Sequence, residues 1–233
     1  MKLSRKLGPI SIGLSVGLIT YLFVQFQNEH RSPIVQAAEN GDTGRVVSLL
    51  HKGADIEARN PTGMTPLMRA AEFGHVDTVQ TLLESGANRD ATDSMHWTAL
   101  TCATDQGQTE TLTYLLNHGA NPNTADKDGL TPLMWASAYG NAQTVMALLA
   151  HGANPNTRDH KGETALMIAA GDTDELQNAP GSLESVRALL NANADSTITD
   201  HNGRTALDAA RLNAKVSIVR LLSNVKLRTS SLL

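Results

Sequence analysis

The fold class this sequence predicts is an all-α solenoid of about six stacked helix-turn-helix units, and three observations predict it. Thr65, Thr98, Thr131 and Thr164 recur every 33 residues. Gly53, Gly86, Gly119 and Gly152 recur at the same spacing, each followed by Ala. Leu-Leu pairs keep step with both series at Leu49-Leu50, Leu82-Leu83, Leu115-Leu116, Leu148-Leu149, Leu189-Leu190 and Leu221-Leu222. Self-similarity at this period marks stacked supersecondary units sharing one extended interior. The step from Thr164 to Thr205 is 41, so the fifth unit carries eight extra residues, and the last Leu pair comes one residue early.

The elements follow in chain order. Residues 1–28 read as a signal anchor. From Leu7 to Phe26 the chain runs twenty residues without a charge. At about 1.5 Å rise per helical residue, that is roughly the 30 Å of bilayer hydrocarbon. Lys2, Arg5 and Lys6 precede the run, and Glu29, His30 and Arg31 follow it. The positive-inside bias therefore keeps the N-terminus cytoplasmic and exports the rest. Val35-Gln36-Ala37 could serve as a signal-peptide cleavage site, giving a periplasmic or secreted product. Cutting there would remove the start of the first helix of the folded domain, so an uncleaved anchor is the expectation. Gly13 and Gly17, with Ser11 and Ser15, have the spacing of a helix-packing motif in lipid, though such residues are common in membrane helices anyway.

Residues 34–223 hold the repeats, divided at about 34–59, 60–92, 93–125, 126–158, 159–199 with the insertion, and 200–223; residues 224–233 are left as a tail. The fourth unit shows the logic. Asp126-Lys127-Asp128-Gly129 makes a turn with Gly where positive φ is cheap. Thr131 caps the first helix, and Pro132 occupies its first position, where a missing N–H is harmless. Leu133, Ala136 and Ser137 follow at helical spacing, and Gly140 ends this short helix. A second helix carries Val145, Leu148 and Leu149 on one face and closes at Gly152. Small residues recur at Ala37-Ala38, Ala70-Ala71, Ala103-Thr104, Ala136-Ser137 and Ala169-Ala170, which allows close helix packing.

Composition excludes several function classes. Without the three N-terminal cations, 16 basic residues face 23 acidic ones, a formal charge of -7. Such a field disfavours nucleic acid as a partner. The single cysteine, Cys102, allows no intrachain disulfide and no cysteine-based zinc cluster. No H-E-x-x-H, G-x-S-x-G or G-x-x-x-x-G-K-[ST] occurs. No catalytic residue, cofactor, metal site or small-molecule substrate is expected, and the chain does not read as an enzyme. His118 and His151 stand one repeat apart before Gly119 and Gly152, where an imidazole can meet helix C-terminal carbonyls. Cys102 reads as a buried thiol.

The segments Gly63-Met64-Thr65-Pro66-Leu67-Met68-Arg69-Ala70-Ala71 and Gly129-Leu130-Thr131-Pro132-Leu133-Met134-Trp135-Ala136-Ser137, with the closing Gly-Ala pairs, resemble the ankyrin repeat. The resemblance covers Ile34 to about Ser223. One departure is systematic: the His of the family's T-P-L-H is replaced by Met68, Thr101, Met134, Met167 and Asp208. Its local hydrogen bonds must then be absent or supplied otherwise. Ala99, Ala165 and Ala206 replace Pro, and His96 replaces a turn glycine, which puts that turn in question.

The resemblance implies a concave protein-binding face made of turn tips and inner helices. On it fall Met64, Trp97 and Leu130, an apolar stripe just after the turn glycine positions, with Glu163 and Arg204 continuing the series. Phe73 and Tyr139 lie near inner-helix ends, and Trp135 lies on the same inner helix as Tyr139. Trp and Tyr dominate interface hot spots, so a protein partner is expected here. Phe73 and Trp135 could instead seal gaps between units, whereas Trp97, at a turn tip, is expected to have little core to join. The insertion within Gly171–Ser182 reads as a projecting finger, whose Asp172, Asp174 and Glu175 are candidate contacts for a basic partner. The expected function is a non-enzymatic, membrane-anchored interaction module facing the periplasm, which either inhibits or protects against an envelope enzyme or tethers an envelope or stress-defence protein as a scaffold.

Overall fold

The computed structural model describes residues 32–171 and 182–230, and side chains as far as Asn224. The anchor of residues 1–28 and the finger residues Asp172, Asp174 and Glu175 lie outside the described residues. Among the described residues no helix is long and apolar enough to cross a membrane.

Twelve helices and no strand are found among the described residues, paired as inner and outer helices of six units. The pairs are α1 (Pro33–Glu39) with α2 (Thr43–His51), α3 (Pro66–Glu72) with α4 (Val76–Glu84), and α5 (Ala99–Asp105) with α6 (Thr109–Asn117). Then come α7 (Pro132–Ala138) with α8 (Ala142–Ala150), α9 (Ala165–Gly171) with α10 (Ser182–Asn191), and α11 (Ala206–Leu212) with α12 (Val216–Ser230). Each inner helix packs on the inner helices of its neighbours, and each outer helix on the outer ones. Inner-row contacts are the more extensive, because the small pairs let backbones approach. Ala37, Ala38, Ala70, Ala71, Ala103 and Ala170 are fully buried. Thr104 and Ser137 take the place of Ala there by donating their hydroxyls to Leu100 O (2.8 Å) and Leu133 O (2.7 Å) of their own helices.

The interior is one continuous seam of Leu67, Leu100, Leu133 and Leu166 from the inner helices and Leu82, Leu115, Leu148 and Leu189 from the outer ones, none more than 1% exposed. The early Leu pair of the last unit is a substitution and not a shift of register. Leu222 keeps the buried place of Leu148, Ile218 takes that of Thr144, and helix α12 continues to Ser230, through most of the segment set apart as a tail. Outside the helices, side chains on the far loops stitch unit to unit. Asn88, Asn121, Asn154 and Asp195 each donate a backbone N–H to Glu57, Asp90, Asn123 or Asn156 of the preceding unit, at 2.7–3.0 Å.

The turn at His96 is kept. His96 adopts φ 63°, the region its glycine counterparts Gly63 (86°) and Gly129 (83°) occupy. An L-residue there costs roughly 1–2 kcal/mol, partly offset by the smaller unfolded-state entropy of His than of Gly. His96→Gly is therefore expected to raise the unfolding free energy by about 0.5–1 kcal/mol. A urea melt with an unchanged or lower midpoint would show that the histidine ring contributes contacts of its own.

Candidate protein-binding face

Every unit from the second onward opens with the same turn. Oδ1 of Asn60, Asp93, Asp126, Asp159 or Asp200 accepts the backbone N–H groups two and four residues on, at 2.7–3.0 Å. Neighbouring tips are joined by one backbone bond each. Ser94, Lys127, His160 and His201 donate to Thr62, Met95, Asp128 and Lys161, at 3.0–3.3 Å. The tips thus form a ribbon whose spacing is set by the stack, and side chains on it are held at fixed intervals.

Three aromatic rings from two units meet on this face. Trp97 meets Trp135 edge-on, with ring centroids 5.5 Å apart, and Trp135 stacks on Tyr139 at 6.0 Å. Each of the two inner-helix rings is fixed by a carboxylate: Trp135 Nε1 donates to Asp126 Oδ2 (3.0 Å) and Tyr139 Oη to Asp105 Oδ1 (2.6 Å). Burial, and then the hydrogen bond to Asp105, push the Tyr139 phenol well above its ordinary pKa, so it stays a donor. Next to the cluster lies a cleft of about 410 Å³, bounded by Leu130, Trp135, Ile168, Asp159 and Glu163 among others. Burial, followed by the neighbouring Asp159, raises the Glu163 pKa. At the other end of the face Arg69 lies over the Phe73 ring, 4.9 Å from its centroid, and bridges Glu39 (2.9 Å) and Glu72.

The expected residues divide into three groups. Phe73 is 46% exposed and Tyr139 37%, free to meet a partner. Met64, Leu130 and Trp97 are half-buried and packed on the core, and Trp135 is half-buried as well. The expectation that Trp97 has little core to join is corrected: its ring bridges the tip to Trp135, because the seam continues up into the tips. Asp172, Asp174 and Glu175 lie outside the described residues. Sequence reasoning missed Met95, 48% exposed at the tip of the third unit, whose counterparts Thr62, Asp128, Lys161 and Asn202 are all polar. That contrast was the available signal. It also missed Asp105 and Asp126, the two carboxylates that fix the rings, since neither pairing has a sequence motif.

The family model for ankyrin repeats, described as three copies, matches residues 34–126 and 119–200. The chain belongs to the ankyrin-repeat family. Among solved structures, this ankyrin chain is similar to a chain in the complex of a predatory endopeptidase from Bdellovibrio bacteriovorus with an immunity protein. The identity is 31%, over 83% of this chain and 98% of that one, with a TM-score of 0.72. It is also similar to an ankyrin repeat domain from Acinetobacter baumannii AYE, at 32% identity over 82% and 95%, with a TM-score of 0.74. No curated protein matches the sequence.

Within the ankyrin frame the missing T-P-L-H histidine is replaced chemically at four of its five positions. The Sδ atoms of Met68 and Met134 accept the N–H of Thr65 (3.4 Å) and Thr131 (3.5 Å), Thr101 shares a hydroxyl bond with Thr98, and Asp208 accepts both the N–H and the hydroxyl of Thr205. His118 and His151 each place Nδ1 2.8 Å from the carbonyl of Tyr114 or Ala147, at helix ends as expected. Cys102 is 1% exposed, and burial raises its thiol pKa far beyond the range of a nucleophile. Trp97→Ala is expected to lower stability by about 1–2 kcal/mol, because it removes the ring contact with Trp135. Phe73→Ala should cost less, about 0.5 kcal/mol, the worth of its exposed contact with the Arg69 guanidinium. Equal midpoints for the two variants would refute this division of the face.

Proposed function

We propose that the chain is a non-enzymatic protein-binding module that occludes an exported peptidase, held at the inner membrane by its N-terminal run with the repeats in the periplasm. The observation that carries the reading is the fixed Trp97–Trp135–Tyr139 cluster beside an open cleft. Aromatic area held rigid before binding loses little entropy on association, and such rings dominate hot spots. A relative that is an immunity protein and binds an endopeptidase supports the choice of partner. The uncharged run from Leu7 to Phe26, with Lys2, Arg5 and Lys6 ahead of it, supports the anchor.

Full-length protein in mild detergent is expected to abolish hydrolysis by its cognate exported peptidase, identified by crosslinking in intact cells, at one inhibitor per enzyme. Tyr139→Ala should weaken that inhibition by tenfold or more, roughly 1.4 kcal/mol or above. Capture of the peptidase with undiminished turnover would replace inhibition by tethering; no capture at all would remove the reading. The anchor is tested separately. Cells expressing the chain should retain it, uncut, in carbonate-washed membranes, and recovery in the soluble periplasmic fraction would mean that the segment is cleaved.

A further inference from the structure

In the turn aspartates Oδ1 holds the tip, and Oδ2 is left over. Asp126 Oδ2 receives Trp135 Nε1–H from its own unit. Asp200 Oδ2 receives the guanidinium of Arg204 through Nε and Nη2, at 2.7 Å each. In the fifth unit the positions matching those two donors hold Ile168, which has no donor, and Glu163, whose side chain makes no hydrogen bond to Asp159. Asp159 is 8% exposed, yet its Oδ2 accepts no hydrogen bond among the described residues, and the residue lines the cleft. That oxygen is reached by solvent and not enclosed, and it is a ready acceptor for a donor that enters the cleft. Around it stand the carboxylates of Asp128 and Glu163, opposed by the ammonium of Lys161 and, at Glu163, by the guanidinium of Arg204, with His160 beside them, while Leu130, Trp135 and Ile168 give an apolar wall.

We propose that this cleft receives one arginine side chain of a protein partner, with its guanidinium donating to Asp159 Oδ2 beside Glu163 and its methylene stem against Leu130, Trp135 and Ile168. The site rests on the protein-binding reading above and names the chemistry that reading requires of the partner. Arginine fits better than lysine. Its planar fork is what Arg204 already presents to Asp200, and its face can lie on an indole. The partner's arginine would thus complete in the fifth unit a pairing that the sixth makes internally.

The test uses the full chain in mild detergent, labelled with 15N at tryptophan, with Trp135→Phe assigning the two indole signals. N-acetyl-arginine amide is expected to shift the Trp135 signal saturably. N-acetyl-citrulline amide, of like shape and no charge, is expected to leave it in place. Asp159→Asn keeps the turn, since Asn60 builds the same one, and should weaken the arginine response about tenfold. Glu163→Arg should fill the cleft from within and abolish the response while the melt stays unchanged. A flat arginine titration, an equal response to citrulline, or undiminished responses in both variants would overturn the proposal. The two readings fail separately. Full peptidase inhibition by Glu163→Arg would remove the arginine site and leave the binding module standing, whereas a saturable arginine response in a chain that captures no peptidase would support the site and count against that partner alone.

Discussion

A helical hairpin of sixteen or so residues has two apolar stripes and nothing of its own to bury them against. Everything in this protein depends on how that problem is solved, by pressing each hairpin's small-residue pairs against the next. Alanine at Ala70-Ala71 and Ala169-Ala170, and self-bonded hydroxyls at Thr104 and Ser137, keep the inner row close. The leucines of both rows then form one seam running the length of the stack. Stability in such an arrangement is a sum over interfaces, so no unit stands alone and none dominates.

The same constraint builds the face. Tips can be linked by single backbone bonds only because the stack sets their spacing, and a linked ribbon carries its side chains at fixed intervals. Trp97 from one tip therefore reaches Trp135 of the next unit, and the carboxylates of Asp105 and Asp126 finish the cluster with bonds to a phenol and an indole. The turn aspartate does two jobs in this design. One oxygen closes the turn, and the other is available to whatever the neighbouring position supplies, an indole at Asp126 or a guanidinium at Asp200.

Most of the scaffold was legible in the chain. The Thr, Gly-Ala and Leu-Leu registers located the helices, and Pro66 and Pro132 marked helix starts, because local propensity, capping and hydrophobic period all agreed there. Substitutions at individual sites were harder to read. Met68 and Met134 could not announce that a thioether would replace an imidazole at the cap, since sulfur is a weak acceptor and works only when held in place. His96 gave no sign that it would accept a left-handed backbone, which depends on the tips on either side.

By itself the sequence determined the repeat, its length, the eight-residue insertion and the family, all of which follow from periodicity along one dimension. It also placed Phe73 and Tyr139 near inner-helix ends, and the structure shows both exposed there. Only the tertiary structure decided that Trp97 belongs partly to the core, that Asp105 and Asp126 hold rings, and that Asp159 keeps an acceptor open. These are contacts between residues about one repeat apart, or between atoms of one turn whose partners are chosen by the groove. Their distances are fixed by how closely two inner helices approach, and no pattern in a single repeat records that.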